Sequence, residues 1–523
     1  MNSVYYLLIT LIFLFVSFVY AKNTIHVFQQ NRYEFYRYSE WLFSKNNIHY
    51  SNVLIYVLIM AMLAFWHNSY RNMIALVVTV VYGILVLIKE SKRQYVKPLV
   101  VTNRVKRQIL VYSILAFILT YLGVNLFKDD LSIMGIISVY LPYFLIYVVA
   151  LITNPIEEAV KKKYENEARK ILSSYNELIK IGITGSFGKT TTKNIIHDII
   201  DEKYYTLITP ASYNTPMGIT RTIRELFKPI YEAFVCEMGA DHVGEITYLM
   251  NFVKPKYGIV TSIGPQHLNT FGNLDNIIKE KMQEIELLPI DGVGIINIDN
   301  EYIRDYKINN TCKVVTVGIE NKNADYVAYD IKYSNKGTSF KVKIDGEEVS
   351  FETILLGSHN VMNILCGIAL GRELGLTNKE LISGVLNIKQ VEHRLEIKKI
   401  NGYTFIDNAF NSNPVGCKRS LDVLSLMPGK RVIVTPGLVD LGKEENDDNY
   451  AFGAYMKDKA DYVILVGEKN TEYIYKGLKE SSFNMNNVFI VYSEKEAFSK
   501  VYANFTVSDT ILLENDLPDA FLH

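Results

Sequence analysis

Apolar and polar positions divide the chain near residue 153. Upstream, five runs are nearly free of charge: Tyr5 to Tyr20, Val53 to Trp66, Met73 to Ile88, Ile109 to Phe127 and Leu131 to Ile152. The last two are long enough to cross about 30 Å of hydrocarbon as helices. The first three are shorter, and the second and third are separated only by His67, Asn68, Ser69, Tyr70 and Arg71. Their clustering predicts a membrane region of about five helices over 1–155 rather than scattered buried helices of a soluble domain. Tyr5 to Tyr20 also has the apolar core of a signal peptide. No basic residue precedes it, however, and Phe18 and Tyr20 stand where cleavage needs small side chains, so it is read as retained.

Loop charge orients the bundle. Lys89 to Gln108 carries seven basic residues (Lys89, Lys92, Arg93, Lys97, Arg104, Lys106, Arg107) against Glu90, whereas Lys128-Asp129-Asp130 is net negative. By the positive-inside rule the first loop is cytoplasmic and the second external. The expectation is a multi-pass protein of the cell membrane with an external N-terminus and everything after Ile152 in the cytoplasm. Asn23 to Tyr50, with Tyr33, Phe35, Tyr36, Trp41 and Phe43 among Arg32, Arg37 and Lys45, reads equally as a segment on the membrane surface or as an ordinary packed helix.

After Asn154-Pro155 the pattern changes period. Ile156, Val160, Tyr164, Ala168, Ile171 and Leu172 recur at helical spacing among Glu and Lys, which predicts a connecting helix over 156–177. A short apolar strand, Ile181 to Ile183, then meets Thr184-Gly185-Ser186-Phe187-Gly188-Lys189-Thr190-Thr191-Thr192-Lys193 and the helical spacing of Ile195, Ile196 and Ile199. Strand, glycine turn and helix in that order form a phosphate cradle. Gly185 and Gly188 let the backbone approach the phosphates, Lys189 meets the β and γ oxygens, and the Thr190 hydroxyl can join a Mg²⁺ shell. The string departs from GxxxxGK[ST], because Ile183 stands where the first glycine would.

Two further strand ends carry chemistry. Phe234 to Met238 leads from Glu237 into Gly239-Ala240-Asp241-His242, and Tyr257 to Ile263 leads into Gly264-Pro265-Gln266-His267-Leu268. A carboxylate and an imidazole near strand ends downstream of a P-loop suit a second divalent-ion site. Taken alone, Glu237 is better read as a salt-bridge partner and His267 as a surface or packing histidine. Towards the C-terminus, Thr404 to Ile406, Arg431 to Thr435, Tyr462 to Val466, Val488 to Tyr492 and Thr510 to Leu513 alternate with helical stretches, predicting an α/β domain with a parallel sheet. Pro436 to Gly442 ends one of these strands, where open α/β sheets bind ligands, though a plain surface loop fits it as well.

Composition adds exclusions. The 523 residues hold 55 Lys plus Arg and 55 Asp plus Glu, so net charge gives no argument for a nucleic-acid partner. The four cysteines, Cys236, Cys312, Cys366 and Cys417, form no CxxC pair, which excludes a local zinc knuckle and a disulfide framework and suits a reducing compartment.

Six strings in order, Gly182 to Lys193, Ser212 to Gly218, Glu237 to Ala240, Thr261 to Leu268, Gly357 to Asn363 and Asp407 to Pro414, resemble the Mur ligases, nearest to the branch that adds D-alanyl-D-alanine. None counts for much alone; together they cover the chain from about 180 onward. The resemblance implies a central P-loop domain with a mostly parallel sheet at 178–388 and a Rossmann-like C-terminal domain at 389–523. It implies ATP and Mg²⁺ as cofactors and amide formation through an acyl phosphate. Carried over by position, Gly185, Gly188, Lys189, Thr190 and Thr191 hold the triphosphate, and Thr190, Glu237 and His267 serve the metal ions. Lys281 matches a lysine that these enzymes convert to a metal-organising carbamate. On spacing alone it is one solvated lysine beside Lys279, Glu280 and Glu284. Asn360 and Asn363 match adenine-side asparagines, Arg394 the arginine from the last domain, and Asp407 an acid near the nucleotide; Asn408 departs from the commonest form there.

The first 155 residues do not match the small domain with which the soluble family holds the UDP part of its substrate. The expected activity is therefore a membrane-anchored ligase joining an amino acid or dipeptide amine to the carboxylate of a cell-envelope precursor. The alternatives are a ligase for another surface polymer or poly-amino acid, and a membrane P-loop ATPase or scaffold without ligase chemistry.

Overall fold

The computed structural model describes residues 2–43, 51–66, 68–92, 98–334, 337–391, 393–409, 414–439, 441, 444–468 and 471–515. The chain forms two compact units, Met1–Lys163 and Tyr164–His523. Of the residues named above, Lys45, Tyr50, His67, Arg93, Lys97, Phe410 to Asn413, Asp440 and Gly442 lie outside the described ones.

In the first unit each apolar run lies in a helix, the conformation that satisfies every backbone amide without water. The helices are Asn2–Gln30, Phe35–Phe43, Ser51–Phe65, Arg71–Ser91, Asn103–Leu126 and Leu131–Ser174. Four of them are long and apolar enough to cross a membrane, whereas the apolar part of the Ser51–Phe65 helix, Val53–Phe65, is shorter. Tyrosines tie the interior together. Tyr56 stacks on Tyr82 with ring centroids 4.0 Å apart, the Tyr20 and Tyr82 hydroxyls lie 2.6 Å apart, and Ser17 pairs with Tyr112 at 2.6 Å.

The helices alternate between two ends. At one, Asn72 Nδ2 donates to Lys128 O at 3.0 Å, and Arg71 donates to Asp129 O. At the other, Gln29 exchanges hydrogen bonds with the Val100 backbone, and Arg107 grips Glu157 at 2.7 and 2.8 Å. The expected external loop thus shares an end with Arg71, and the basic loop shares one with residues 29 and 157.

Two expectations change here. The separate connecting helix is absent, because Leu131–Ser174 runs unbroken through Pro142 and Pro155. Proline removes one amide donor and bends a helix but does not stop one that is otherwise well packed. The aromatic segment is also not one element: Asn23 to Gln30 ends the first helix, and Phe35–Phe43 is a short helix that buries Tyr38 and Leu42 while exposing Tyr36 and Phe43.

The second unit holds two sheets. The first contains β1 (Ile179–Thr184), β2 (Thr206–Ile208), β3 (Ala233–Glu237), β4 (Tyr257–Val260), β5 (Val293–Asn297), β6 (Lys313–Gly318), β7 (Tyr326–Ser334), β8 (Gly337–Ile344) and β9 (Glu347–Thr353). Its order is β2-β3-β1-β4-β5-β6-β7-β8-β9, parallel as far as β7 and antiparallel beyond. The expected strand from Tyr257 to Ile263 stops at Val260, and the residues after it turn towards the glycine loop. The second sheet contains β10 (Glu396–Ile400), β11 (Tyr403–Asn408), β12 (Arg431–Thr435), β13 (Tyr462–Val466), β14 (Val488–Val491) and β15 (Thr510–Glu514) in the order β10-β11-β15-β12-β13-β14. Only the β10–β11 hairpin is antiparallel. The result is an α/β unit with parallel-rich sheets.

Candidate active site

The site forms at the C-terminal ends of β1, β3 and β4. After β1 the chain turns through Gly185, φ +148°, and Gly188, φ +84°, into the helix Lys189–Ile200. A Cβ on Gly185 would fall 2.2 Å from Thr261 Oγ1 and 2.9 Å from Ser262 O, so the loop admits only glycine there. Thr261 Oγ1 donates to Phe187 O at 2.6 Å, and Ser186 N donates to Ser262 O at 2.7 Å, fastening the loop to the residues after β4. Lys189 Nζ folds back onto Gly185 O at 2.6 Å and Ser186 O at 3.2 Å. Thr190 and Thr191 occupy the first turn of the helix, half-buried.

Glu237, at the end of β3, is buried. Its Oε1 accepts from Asn214 Nδ2 at 3.0 Å, while Oε2 has no hydrogen bond and lies 3.5 Å from Lys193 Nζ. Both readings of Glu237 therefore survive: it has a cation partner, and it keeps one carboxylate oxygen uncommitted, which suits a divalent ion. The helix Leu274–Glu286 brings Lys281 to the same place. Lys281 is 1% exposed, and its Nζ donates to Ala240 O at 3.1 Å. The solvated-lysine reading is thus overturned, since the helix turns Ile277, Lys281 and Glu284 inward and leaves Lys279 outside.

Burial first, and then the charge of Lys189, bring the Lys281 pKa down to about 7 against the opposing pull of Glu280, Glu245 and Asp241. Burial likewise lowers the Lys189 pKa, with Glu237 opposing and Arg394 reinforcing the shift. Arg394 is itself lowered by burial and held up by Glu237. Lys189, Lys193 and Arg394 thus gather around Glu237, with Lys281 close enough to Lys189 to feel its charge, an excess of cations that a polyphosphate would neutralise.

His267 stands exposed just before the short helix Leu268–Phe271, with φ +53°. Nearer Lys281, Asp241, His242 and Glu245 form a group that could hold a metal ion. Glu280 is already committed, accepting from Gly244 N at 2.8 Å and Ile246 N at 2.6 Å.

Beside the loop lies a cavity of about 130 Å³ whose lining includes Gly188, Thr191, Asn360, Asn363, Arg394 and Asn408. Asn360 Nδ2 is spent on Leu356 O at 2.8 Å, so only its side-chain oxygen remains, as an acceptor. Asp407 is not among the lining residues. Its carboxylate is held by His393 at 2.8 Å and Lys398 at 2.6 Å, which keep it below the ordinary carboxylate range despite burial. Asn408, the departure noted in the sequence, donates to Glu514 at 3.0 Å.

Several lining or supporting residues were not singled out from the sequence. His359 is half-buried and kept neutral, its pKa pushed down to about 3 by desolvation and by Arg419, and Arg419 lines the cavity with it. Lys193 and Asn214, which orient Glu237, lie inside the glycine-loop and Ser212 to Gly218 strings and were visible there only as motif members. The loop after β12 is held by Asn449, which exchanges hydrogen bonds with the Leu438 backbone at 2.9 and 2.8 Å.

A glycine loop between a parallel strand and a helix, faced by a second α/β sheet that contributes an arginine, defines a nucleotide-using P-loop enzyme. The sequence pattern of the Mur ligase middle domain matches residues 183–371, and that of the Mur ligase glutamate ligase domain matches 393–514. The UDP-N-acetylmuramoyl-tripeptide--D-alanyl-D-alanine ligase of Bacillus subtilis (strain 168) is 31% identical over 338 residues, 64% of this chain and 72% of that protein. The Escherichia coli (strain K12) protein of the same name is 30% identical over 293 residues, 55% of this chain and 65% of its own length. Among solved structures, MurF from Acinetobacter baumannii superposes with a TM-score of 0.61 at 22% identity, covering 68% of this chain and 77% of that one. The MurF ligase of Thermotoga maritima in complex with ADP gives 0.61 at 22% identity, covering 68% and 80%. The chain belongs to the Mur ligase family, whose members are ATP-dependent acid–amino-acid ligases.

Proposed function

We propose that the chain is a membrane-anchored ligase that joins D-alanyl-D-alanine, or another amino acid or short peptide, to a carboxylate on a cell-envelope precursor at the cytoplasmic face. The observation that carries this reading is the buried Glu237 beside the glycine loop, 3.5 Å from Lys193 and close enough to Lys189 and Arg394 to act on the charge of both. The names of the B. subtilis and E. coli relatives support the peptidoglycan precursor and the dipeptide as substrates. Four long apolar helices support attachment to a bilayer.

The residues divide the work as follows. ATP bound at the loop supplies the phosphoryl group that turns the acceptor carboxylate into an acyl phosphate, and Mg²⁺ offsets the phosphate charge. Gly185 and Gly188 admit the phosphates to the backbone amides at the helix start, and Lys189 leaves its loop carbonyls to meet them. Thr190 and the uncommitted Oε2 of Glu237 are the oxygen donors for a divalent ion, with His267 as a further ligand.

The neutral Lys281 amine would add to CO₂ and lose one proton to solvent, giving the carbamate that the resemblance implies. Its depressed pKa leaves a large neutral fraction near pH 7, the form that attacks CO₂. Thr191, Asn360 and Asn363 hold the nucleoside side, and Arg394 reaches the phosphates from the last domain. Asp407 positions the β10–β11 hairpin that carries Arg394 rather than touching the nucleotide. Domains at 178–388 and 389–523 thus build one site, closing it against water that would hydrolyse an acyl phosphate.

The test is a substrate screen with detergent-purified full-length protein. UDP-linked and lipid-linked muramoyl-tripeptide precursors are offered with and without D-alanyl-D-alanine, and ADP and amide product are measured together. Product with one precursor class assigns the acceptor. Phosphate release that ignores both amine and carboxylate would reject the ligase reading in favour of a membrane P-loop ATPase.

A further inference from the structure

Lys193 is a buried cation to which the phosphate chemistry gives no task. It lies one turn beyond Lys189 in the helix Lys189–Ile200, on the inward face with Ile196 and Ile200, and is completely buried. Lysine is almost never fully buried unless it is paired. The Lys193 Nζ donates to Ala211 O and stands 3.5 Å from Glu237 Oε2, which is itself buried without a hydrogen bond. The ammonium is thus tied to a carbonyl, while the carboxylate oxygen beside it is left open.

That carbonyl is held in place. Ala211 sits at φ +43°, left-handed for a residue with a Cβ, and the turn around it is closed by Tyr213 N donating to Pro210 O at 2.9 Å and Asn214 N to Ser212 O at 2.8 Å. Asn214 then fastens the turn to the end of β3. Its Nδ2 donates to Glu237 Oε1 at 3.0 Å, its backbone oxygen accepts from Gly239 N at 2.9 Å, and a Cβ on Gly239 would fall 2.7 Å from its Cγ. One short loop therefore holds both the cation and the carboxylate. Lys189 rests on the carbonyls of the glycine loop and can exchange them for a phosphate, whereas Lys193 is enclosed and keeps its place.

We propose that Lys193 is a positioning residue, acting through Glu237, that makes divalent-ion binding depend on the nucleotide. Its fixed charge beside Oε2 repels a bare divalent cation from the uncommitted oxygen of that carboxylate, and like charges a few ångströms apart in a buried site are poorly screened. The negative charge of a polyphosphate offsets the repulsion, so metal and nucleotide enter together. The inference rests on Glu237 as a metal ligand, the role proposed for it above, and adds to that role an order of binding.

The experiment follows free Mn²⁺ by its electron paramagnetic resonance signal in detergent-purified full-length protein, with and without ADP. Without ADP the parent protein should take up little Mn²⁺. Lys193→Gln, whose amide can still donate to Ala211 O but carries no charge, should bind Mn²⁺ about tenfold or more tighter without ADP. Lys193→Arg, which keeps the charge, should stay near the parent. A purely structural role would lower the thermal midpoint and leave the nucleotide-free affinity unraised. Tight Mn²⁺ binding by the parent without ADP would overturn the inference, and that measurement stands even if Lys193→Gln does not fold. A Lys193→Gln affinity equal to or below the parent's would overturn it as well. Adding Glu237→Gln to Lys193→Gln should remove the gained affinity; if the gain survived, the ligand role of Glu237 would be rejected instead.

Discussion

Lys281 shows how much of the site a single residue position can reveal. Spacing does not choose between Lys279 and Lys281, but helical phase does, because Ile277, Lys281 and Glu284 share the buried face. Lys281→Ala should therefore abolish ligation, with partial recovery on adding short carboxylates that replace the carbamate oxygens, while Lys279→Ala keeps near-normal activity; equal losses would remove the special role.

Glu284 carries a second prediction. Both its oxygens are buried without hydrogen bonds, and burial raises its pKa from 4.5 to about 8 against the pull of Lys281. Between those values the folded state keeps a proton that the unfolded state has lost, so this group makes stability fall as pH rises. Glu284→Gln should flatten that fall in the thermal midpoint, and an unchanged slope would contradict the burial account. Lys281 acts in the opposite sense from about 7 up to 10.5, where the unfolded state holds the extra proton and stability rises with pH. What the sequence did not disclose at this scale was pairing. The carboxylate of Asp407 is spent on His393 and Lys398, and the cavity wall has His359 and Arg419, because such partners meet only once the elements are folded.

At the scale of elements, the apolar runs and the parallel strands β11 to β15 were legible because long periodic stretches carry a strong signal. The expectation had no strand between Ile263 and Thr404, yet β5 to β10 lie there. β9 alternates cleanly, with Val349, Phe351 and Thr353 buried between exposed neighbours, and so could have been read. β5 is buried throughout and has no period to find. The helix Leu131–Ser174 was misjudged because Pro155 coincides with the change in composition, and a composition boundary need not be a helix boundary.

Close helix contacts were likewise hidden. A Cβ on Gly453 would fall 2.1 Å from Ile474 O, and one on Gly477 would fall 2.1 Å from Tyr450 O, so the helices Glu445–Tyr455 and Glu472–Glu480 touch backbone to backbone. Gly453→Ala and Gly477→Ala should each destabilise the C-terminal domain by roughly 1–3 kcal/mol, measured by thermal or denaturant melting. A neutral effect at both positions would mean that the helices are not in contact as described.

For the whole molecule, a unit of long apolar helices precedes the Mur ligase unit. The loop charges predict an orientation, and the helices place residues 71 and 129 at one end and residues 29, 100 and 157 at the other. A reporter near Asp129 should read external, and one near Lys97 cytoplasmic; an external reading at Lys97 would put the nucleotide site on the side without ATP. The acceptor and the amine were not legible, since substrate choice resides in shape around the reacting groups rather than in the nucleotide motifs.

The central claim is that the carboxylate is activated as an acyl phosphate, and isotope transfer tests it most directly. With ¹⁸O in the acceptor carboxylate, the full-length protein should release inorganic phosphate carrying one ¹⁸O for each amide formed, and Lys189→Ala should lower both together by about a hundredfold. Unlabelled phosphate, with its new oxygen drawn from water, would show ATP hydrolysis without acyl transfer and contradict the account.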